Sequence, residues 1–190
     1  MTIIPAFLKF PKEAVLIGRL LAGYGEMELT LCNCVAMAID DLDMVLKAMF
    51  RARGETQRID IADALGRRTY RDLKLETQFS EAVAGMRYCL KIRNQFAHCQ
   101  FHDDLSGRGL GFVDMEEIAT EHAFIKDLAG LTVHFLDVPL LQKQEEYFVH
   151  VTRCLQYVNF EGRYRAGKLK ASGRVYAVQP KVTRPPLYTP

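Results

Sequence analysis

Apolar residues recur at steps of three and four over most of the chain, the spacing that gathers them on one face of an α-helix. The first such run starts at Pro11 and carries Val15, Leu16, Leu20, Leu21, Met27, Leu31, Val35 and Ile39. Proline suits a first helical position, and Glu13 suits the positive end of the helix dipole. Gly23 and Gly25 weaken the middle, which predicts a bend or two segments there. The stretch "DDLDMVLKAMFRARG", residues 40–54, predicts a second helix capped by Asp40 or Asp41, with Arg51 and Arg53 near its end and Gly54 as its stop. A third helix is expected over roughly Thr56 to Leu75, around Ile59, Ala62, Leu65, Tyr70 and Leu73. A fourth begins near Thr77 to Ser80, and its stripe reads Phe79, Val83, Met86, Leu90, Arg93, Ala97. That spacing puts Arg93 on the inward face, where a hydrophobe is expected.

The period changes after His98. "CQFHDDLSGRGLGFVD" has two short arms about Ser106-Gly107-Arg108-Gly109 and predicts a β-hairpin. A short helix from about Glu116 to Ala129 and a strand in "LTVHFLD" follow. Pro139 then opens the last long helix, with Leu141, Gln144, Phe148, Val151, Leu155 and Val158 along one side to about Arg165. The predicted class is mainly α, a helical bundle with a small β-hairpin inserted before the last long helix. Its parts are an N-terminal arm (1–11), a helical domain (12–166, hairpin about 99–115) and an extended, proline-containing tail (167–190).

Composition adds one asymmetry. The 190 residues are 49% apolar and 25% charged, as in a globular protein. The net charge is +2, yet Arg163, Arg165, Lys168, Lys170, Arg174, Lys181 and Arg184 follow Gly162 with no acidic residue among them, which leaves −5 for the rest. A basic tail on an acidic body reads either as a solvated extension or as a segment that meets an anion. The five cysteines include no Cys-x-x-Cys pair and fit reduced thiols in the cytoplasm. Lys9, Lys12, Glu13 and Arg19 interrupt the apolar N-terminus, so neither a signal peptide nor a membrane span is expected.

The unusual chemistry lies in "KIRNQFAHCQF", residues 91–101. A guanidinium on an inward stripe needs a partner, and Glu26 or Glu28 on the first helix is the expected one. Asn94 and His98 are four apart and share a helix face. Arg93 and His98 are five apart, about 140° around an ideal helix, so they converge only through the length of arginine or a frayed helix end. Histidine transfers protons near neutrality, arginine grips phosphate oxygens in a fork, and asparagine orients its neighbours. RNA supplies its own nucleophile, the 2′-hydroxyl, so such a set needs neither a metal nor a serine. Residue types and spacing alone are met as well by a histidine capping helix carbonyls beside an arginine in a structural ion pair.

"RNQFAH" resembles the signature of the HEPN (higher eukaryotes and prokaryotes nucleotide-binding) superfamily: an arginine, a polar residue after it, and a histidine four to six residues on. The resemblance spans roughly residues 12–166. It implies an α-helical bundle that pairs into a homodimer, and RNA as substrate. It also implies a metal-independent endoribonuclease in a toxin–antitoxin or phage-defence setting, with a separate nucleotidyltransferase-type antitoxin as partner. Arg93 and His98 would be catalytic and Asn94 supportive, with no cofactor. Other members keep the fold and only bind RNA, a nucleotide or a partner protein.

Other constellations are weaker. "HCQFHDD" gathers His98, Cys99, His102, Asp103 and Asp104, but the hairpin signal after Cys99 separates the imidazoles, so no metal site is expected. Arg67, Arg71 and Lys74 fall at helical spacing as a basic face, a solvated surface or a nucleic-acid groove. Tyr164, Tyr176 and Tyr188 interleave with the basic tail, a composition for stacking on single strands or for wrapping a second subunit. His122, His134 and His150 read as structural or exposed.

Overall fold

A computed structural model describes residues 4–103, 109–115, 118–119 and 133–188. The chain is mainly helical, with one small antiparallel sheet before the last long helix, as its periodicity predicts. In order come α1 (Ala6–Lys9), α2 (Pro11–Ile39), α3 (Leu42–Arg51), α4 (Glu55–Asp72), α5 (Glu76–Ala97), β1 (Cys99–Asp103), β2 (Leu110–Asp114), β3 (His134–Phe135) and α6 (Val138–Arg165). The expected turn at Ser106–Arg108 and most of the expected helix from Glu116 to Ala129 lie outside the described residues. Among the described residues no helix is long and apolar enough to cross a membrane.

Contacts divide the chain into two units. One holds residues 1–22, 91–146 and 184–190; the other holds 23–90 and 147–183. These divisions interleave along the sequence.

The second unit is helical. Its core takes Met27, Leu31 and Val35 from α2, Val45 and Met49 from α3, Ile59, Ala62 and Tyr70 from α4, Phe79, Val83 and Met86 from α5, and Val151, Leu155 and Val158 from α6. Tyr70 stacks on Phe79 at 4.4 Å and donates its hydroxyl to the Cys34 carbonyl at 2.9 Å, so its polar end is satisfied inside the core. Local chemistry sets the ends. The Asp41 carboxylate accepts the Met44 N–H at 2.8 Å and caps α3. Past α4, Lys74 takes a left-handed conformation (φ 58°), and the Leu75 N–H returns to the Tyr70 carbonyl at 2.7 Å. That closure stops the helix and turns Leu75 inward.

Three expectations are corrected. Of the bend or two segments expected at Gly23 and Gly25, the two segments are excluded, since α2 is one helix from Pro11 to Ile39; each glycine costs about 1 kcal/mol, less than the buried side chains on the flanking turns return. Leu65 is 37% exposed, and Gly66 faces inward beneath the ring of Phe79 instead. The buried stripe of α5 passes through Cys89, Ile92 and Phe96, which leaves Arg93 half-buried at its margin.

The first unit is built around the sheet, ordered β1-β2-β3 and antiparallel throughout. Phe101 pairs with Phe112, and Phe112 with His134, in register. Phe112 is fully buried, with Phe96 at 5.7 Å, His134 at 5.1 Å and Tyr188 at 5.6 Å between ring centroids. Phe7 of α1 covers Phe101 at 4.9 Å, and Lys9 pairs with Asp103.

Gly66 offers a test of packing against propensity. Alanine at a helix interior normally gains about 1 kcal/mol over glycine. Here the added methyl meets the Phe79 ring at 2.7 Å, and that ring is pinned against Tyr70. Gly66→Ala is therefore expected to lose about 1–2 kcal/mol in urea unfolding, the overpacking cost outweighing the propensity gain.

Candidate functional site

α5 delivers Arg93 and Asn94 on its last turns within the first unit, and His98 stands one residue beyond its end at Ala97. The helix stops here because the chain turns into β1. The His98 carbonyl accepts the Met115 N–H at 3.0 Å, a bond to the exit of the hairpin. Arg93 donates from Nη1 to Asn94 Oδ1 at 3.1 Å. Asn94 and His98 are exposed. The structure thus brings arginine and asparagine into direct contact, the asparagine four residues before an exposed histidine in the chain. Because His98 lies outside the helix, its direction is not bound to the helical period.

Glu26 and Glu28 belong to the second unit. Glu26 is exposed, and Glu28 is buried and accepts from Arg58 Nη1 at 3.1 Å. Arg58 also donates to the Ala52 carbonyl at 3.2 Å and lies over the Phe50 ring, so it ties α2, α3 and α4 together. The carboxylate expected to serve Arg93 therefore has a structural arginine of its own.

The basic faces are largely answered by the protein's own acids. Arg67 grips Asp63 with both carboxylate oxygens, at 2.8 and 2.7 Å. Arg71 grips Glu76 at 3.1 and 2.8 Å and holds its carboxyl below the usual range. Lys74 is the left-handed residue past α4. In the tail, Lys168 pairs with Asp40 at 2.7 Å and Lys181 with Glu81 at 3.0 Å. Arg165 and Arg174 both reach Glu161 at 2.9 Å. Burial pushes the Glu161 carboxyl up, but the two guanidiniums more than offset it and its pKa is lowered. Arg165 also caps the Leu73 and Lys74 carbonyls at 2.9 and 3.0 Å, and Arg174 lies over the Tyr164 ring.

Among the described residues no group of three metal-ligating side chains gathers. His102 sits on β1 against Gly111, and Asp103 is paired with Lys9. All five cysteines are free thiols. Burial pushes Cys32 up to about 11 and Cys34 to about 12, far from a reactive thiolate. His134, read as structural or exposed, is buried and stacks on Phe112.

Sequence reasoning missed Gln95. Its amide clasps the backbone of Tyr188, donating to the carbonyl at 2.7 Å and accepting the N–H at 3.2 Å. The only sequence signal was a tyrosine closing an apolar Pro-Pro-Leu-Tyr run far along the chain.

Comparison with protein families, characterised proteins and solved structures finds no match to this chain.

Two measurements follow from these pairings. Glu28→Ala strands the half-buried Arg58 and is expected to cost about 2 kcal/mol in chemical denaturation. His98→Ala at an exposed position is expected to stay within about 0.5 kcal/mol of the parent. The thiols set an alkaline limit. Cys32 and Cys34 sit above the usual 9.0 only in the folded chain, so the unfolded chain loses those protons first. Their contribution to stability is complete below pH 9.0 and lost as pH rises through about 11 to about 12, which urea midpoints across that range will register.

Proposed function

We propose that this chain is a metal-independent endoribonuclease of the HEPN type. The observation that supports it most is the hydrogen bond from Arg93 to Asn94, made on the last turn before an exposed His98. In this reading Arg93 takes a non-bridging oxygen of the scissile phosphate in its guanidinium fork and stabilises the charge that builds there. Asn94, its carbonyl held by Arg93, orients the guanidinium. His98 takes the proton of the RNA 2′-hydroxyl as that oxygen attacks phosphorus, and returns it to the 5′-oxygen as it leaves. The phosphorus–O2′ bond forms as the bond to the leaving 5′-oxygen breaks, and a cyclic phosphate end results. The wider role is a cytoplasmic toxin or defence factor acting as a homodimer, with a nucleotidyltransferase-type antitoxin as a separate chain.

A second reading is a non-catalytic protein of the same type that binds RNA, a nucleotide or a partner protein. Carboxylate pairing of Arg67, Arg71, Lys168, Arg174 and Lys181 favours it over a nuclease that tracks a long strand. A long phosphate track would have to displace each of those acids. Cleavage at a short exposed segment needs no such track.

RNA cleavage in excess EDTA separates the two. The parent protein is expected to cut and to leave cyclic phosphate ends, with His98→Ala slower by about 10²-fold or more. Intact RNA across structured and unstructured substrates would favour the binding reading. Equal cutting by both proteins would move the chemistry away from His98.

A further inference from the structure

Between Asn94 and His98 stands Gln95, which the proposed reaction leaves unused and which is tied to a distant segment of the chain. Both ends of its amide are bound to the main chain of Tyr188, at 2.7 and 3.2 Å. Tyr188 is itself anchored at two further points. Its ring meets Phe96 at 5.9 Å and Phe112 at 5.6 Å, edge to face. Its hydroxyl donates to the Asp137 carbonyl at 3.1 Å and accepts the Asp137 N–H at 3.0 Å. One turn into α6, the fully buried Gln144 donates to the Pro186 carbonyl at 3.1 Å. Pro185 is buried as well. Burial pushes the Tyr188 phenol up to about 12, so at neutral pH the hydroxyl keeps the proton it donates.

This is how a binding site holds an extended peptide: the main chain is paired by an amide, an aromatic ring is pocketed, and its hydroxyl is satisfied on both sides. The occupant is the chain's own segment Arg184–Tyr188. What it holds is the part of a helix least able to hold itself. The last four carbonyls of any α-helix lack intrahelical partners, and last turns fray. Asn94–Ala97 is that turn, and His98 is the next residue.

We infer that Gln95 and Tyr188 are positioning residues: the docked segment Arg184–Tyr188 is a latch that fixes the turn carrying Asn94 and His98. The latch rests on the nuclease reading for its purpose, but its physical claim, that the turn is ordered by the tail, stands apart from it. A displacement near 1 Å at a reacting group lowers turnover by about 10²-fold, so a latch of this kind acts on turnover more than on substrate binding.

The test uses the full chain in four forms: Gln95→Ala, Tyr188→Ala, the two combined, and Tyr188→Phe as the conservative variant. The first readout is amide hydrogen exchange, which does not depend on activity. Both single variants are expected to speed exchange over Asn94–His98 by about tenfold or more, with Val83–Cys89 of the same helix unchanged. The double variant is expected to match the singles, since amide and ring hold one contact. Tyr188→Phe, which keeps the ring, is expected to retain part of the protection. The second readout is RNA cleavage, with kcat expected to fall about tenfold while KM stays within about twofold. Unchanged exchange over Asn94–His98 would overturn the latch. So would loss of protection spreading through α5, which would mark a purely structural contact. A confined loss of protection in a protein that cuts no RNA would uphold the latch and sink the nuclease reading.

Discussion

Burial of Phe112 is the interaction on which the first unit depends. A hairpin of two five-residue strands with a two-residue third strand is marginal in water by itself. The ring of Phe112 gives it a hydrophobic side. Phe96 from α5, Phe101 and His134 from the flanking strands, and Tyr188 from the tail all pack on that ring. An aromatic side chain of this size removes about 150–250 Å² from water, enough to offset ordering several short segments at once. Because Phe96 and Tyr188 share the cluster, the geometry of the helix end, the sheet and the tail is settled by one packing arrangement.

Charge is organised by the same economy in the second unit. The tail that looks like a cationic arm finds its anions at home, in Asp40, Glu81 and Glu161. Each exposed pair contributes little on its own, typically under about 1 kcal/mol. Their collective effect is on field, since paired cations project less potential towards a distant polyanion. Glu161 is the exception in depth: it is buried and bound by both Arg165 and Arg174, which hold its carboxyl below the usual range.

What the sequence disclosed and what it hid follow one rule, the range of the interaction. The openings at Pro11 and near Asp41 were legible because first-turn and capping chemistry is local. The passage of α2 through two glycines was not, nor the exposure of Leu65, because both depend on which neighbours fill the space. Arg93 was assigned to the buried stripe by extending a period that the core abandons at Ile92 and Phe96. Gln95 and Tyr188 are 93 residues apart, and no periodicity links them. Net charge along the tail was legible as a count, but its pairing was not, since Lys168 and Asp40 lie 128 residues apart.

In the proposed reaction a catalytic group stands at a helix terminus, where two demands conflict. Proton transfer needs an imidazole open to solvent and substrate, and exposure there removes the packing that would hold it still. The remedy is to fix the neighbours and leave the reacting group bare. Around His98, Phe96 is buried, Gln95 is clasped by the tail, and the His98 carbonyl is tied to Met115, while its ring side remains accessible. Order is thus supplied through the backbone on both sides of the histidine. An inert helix cap would need no such arrangement, because a capping side chain is positioned by the carbonyls it binds. On the proposed reading, contacts from the sheet, the tail and α6 order the exposed turn at which His98 would act.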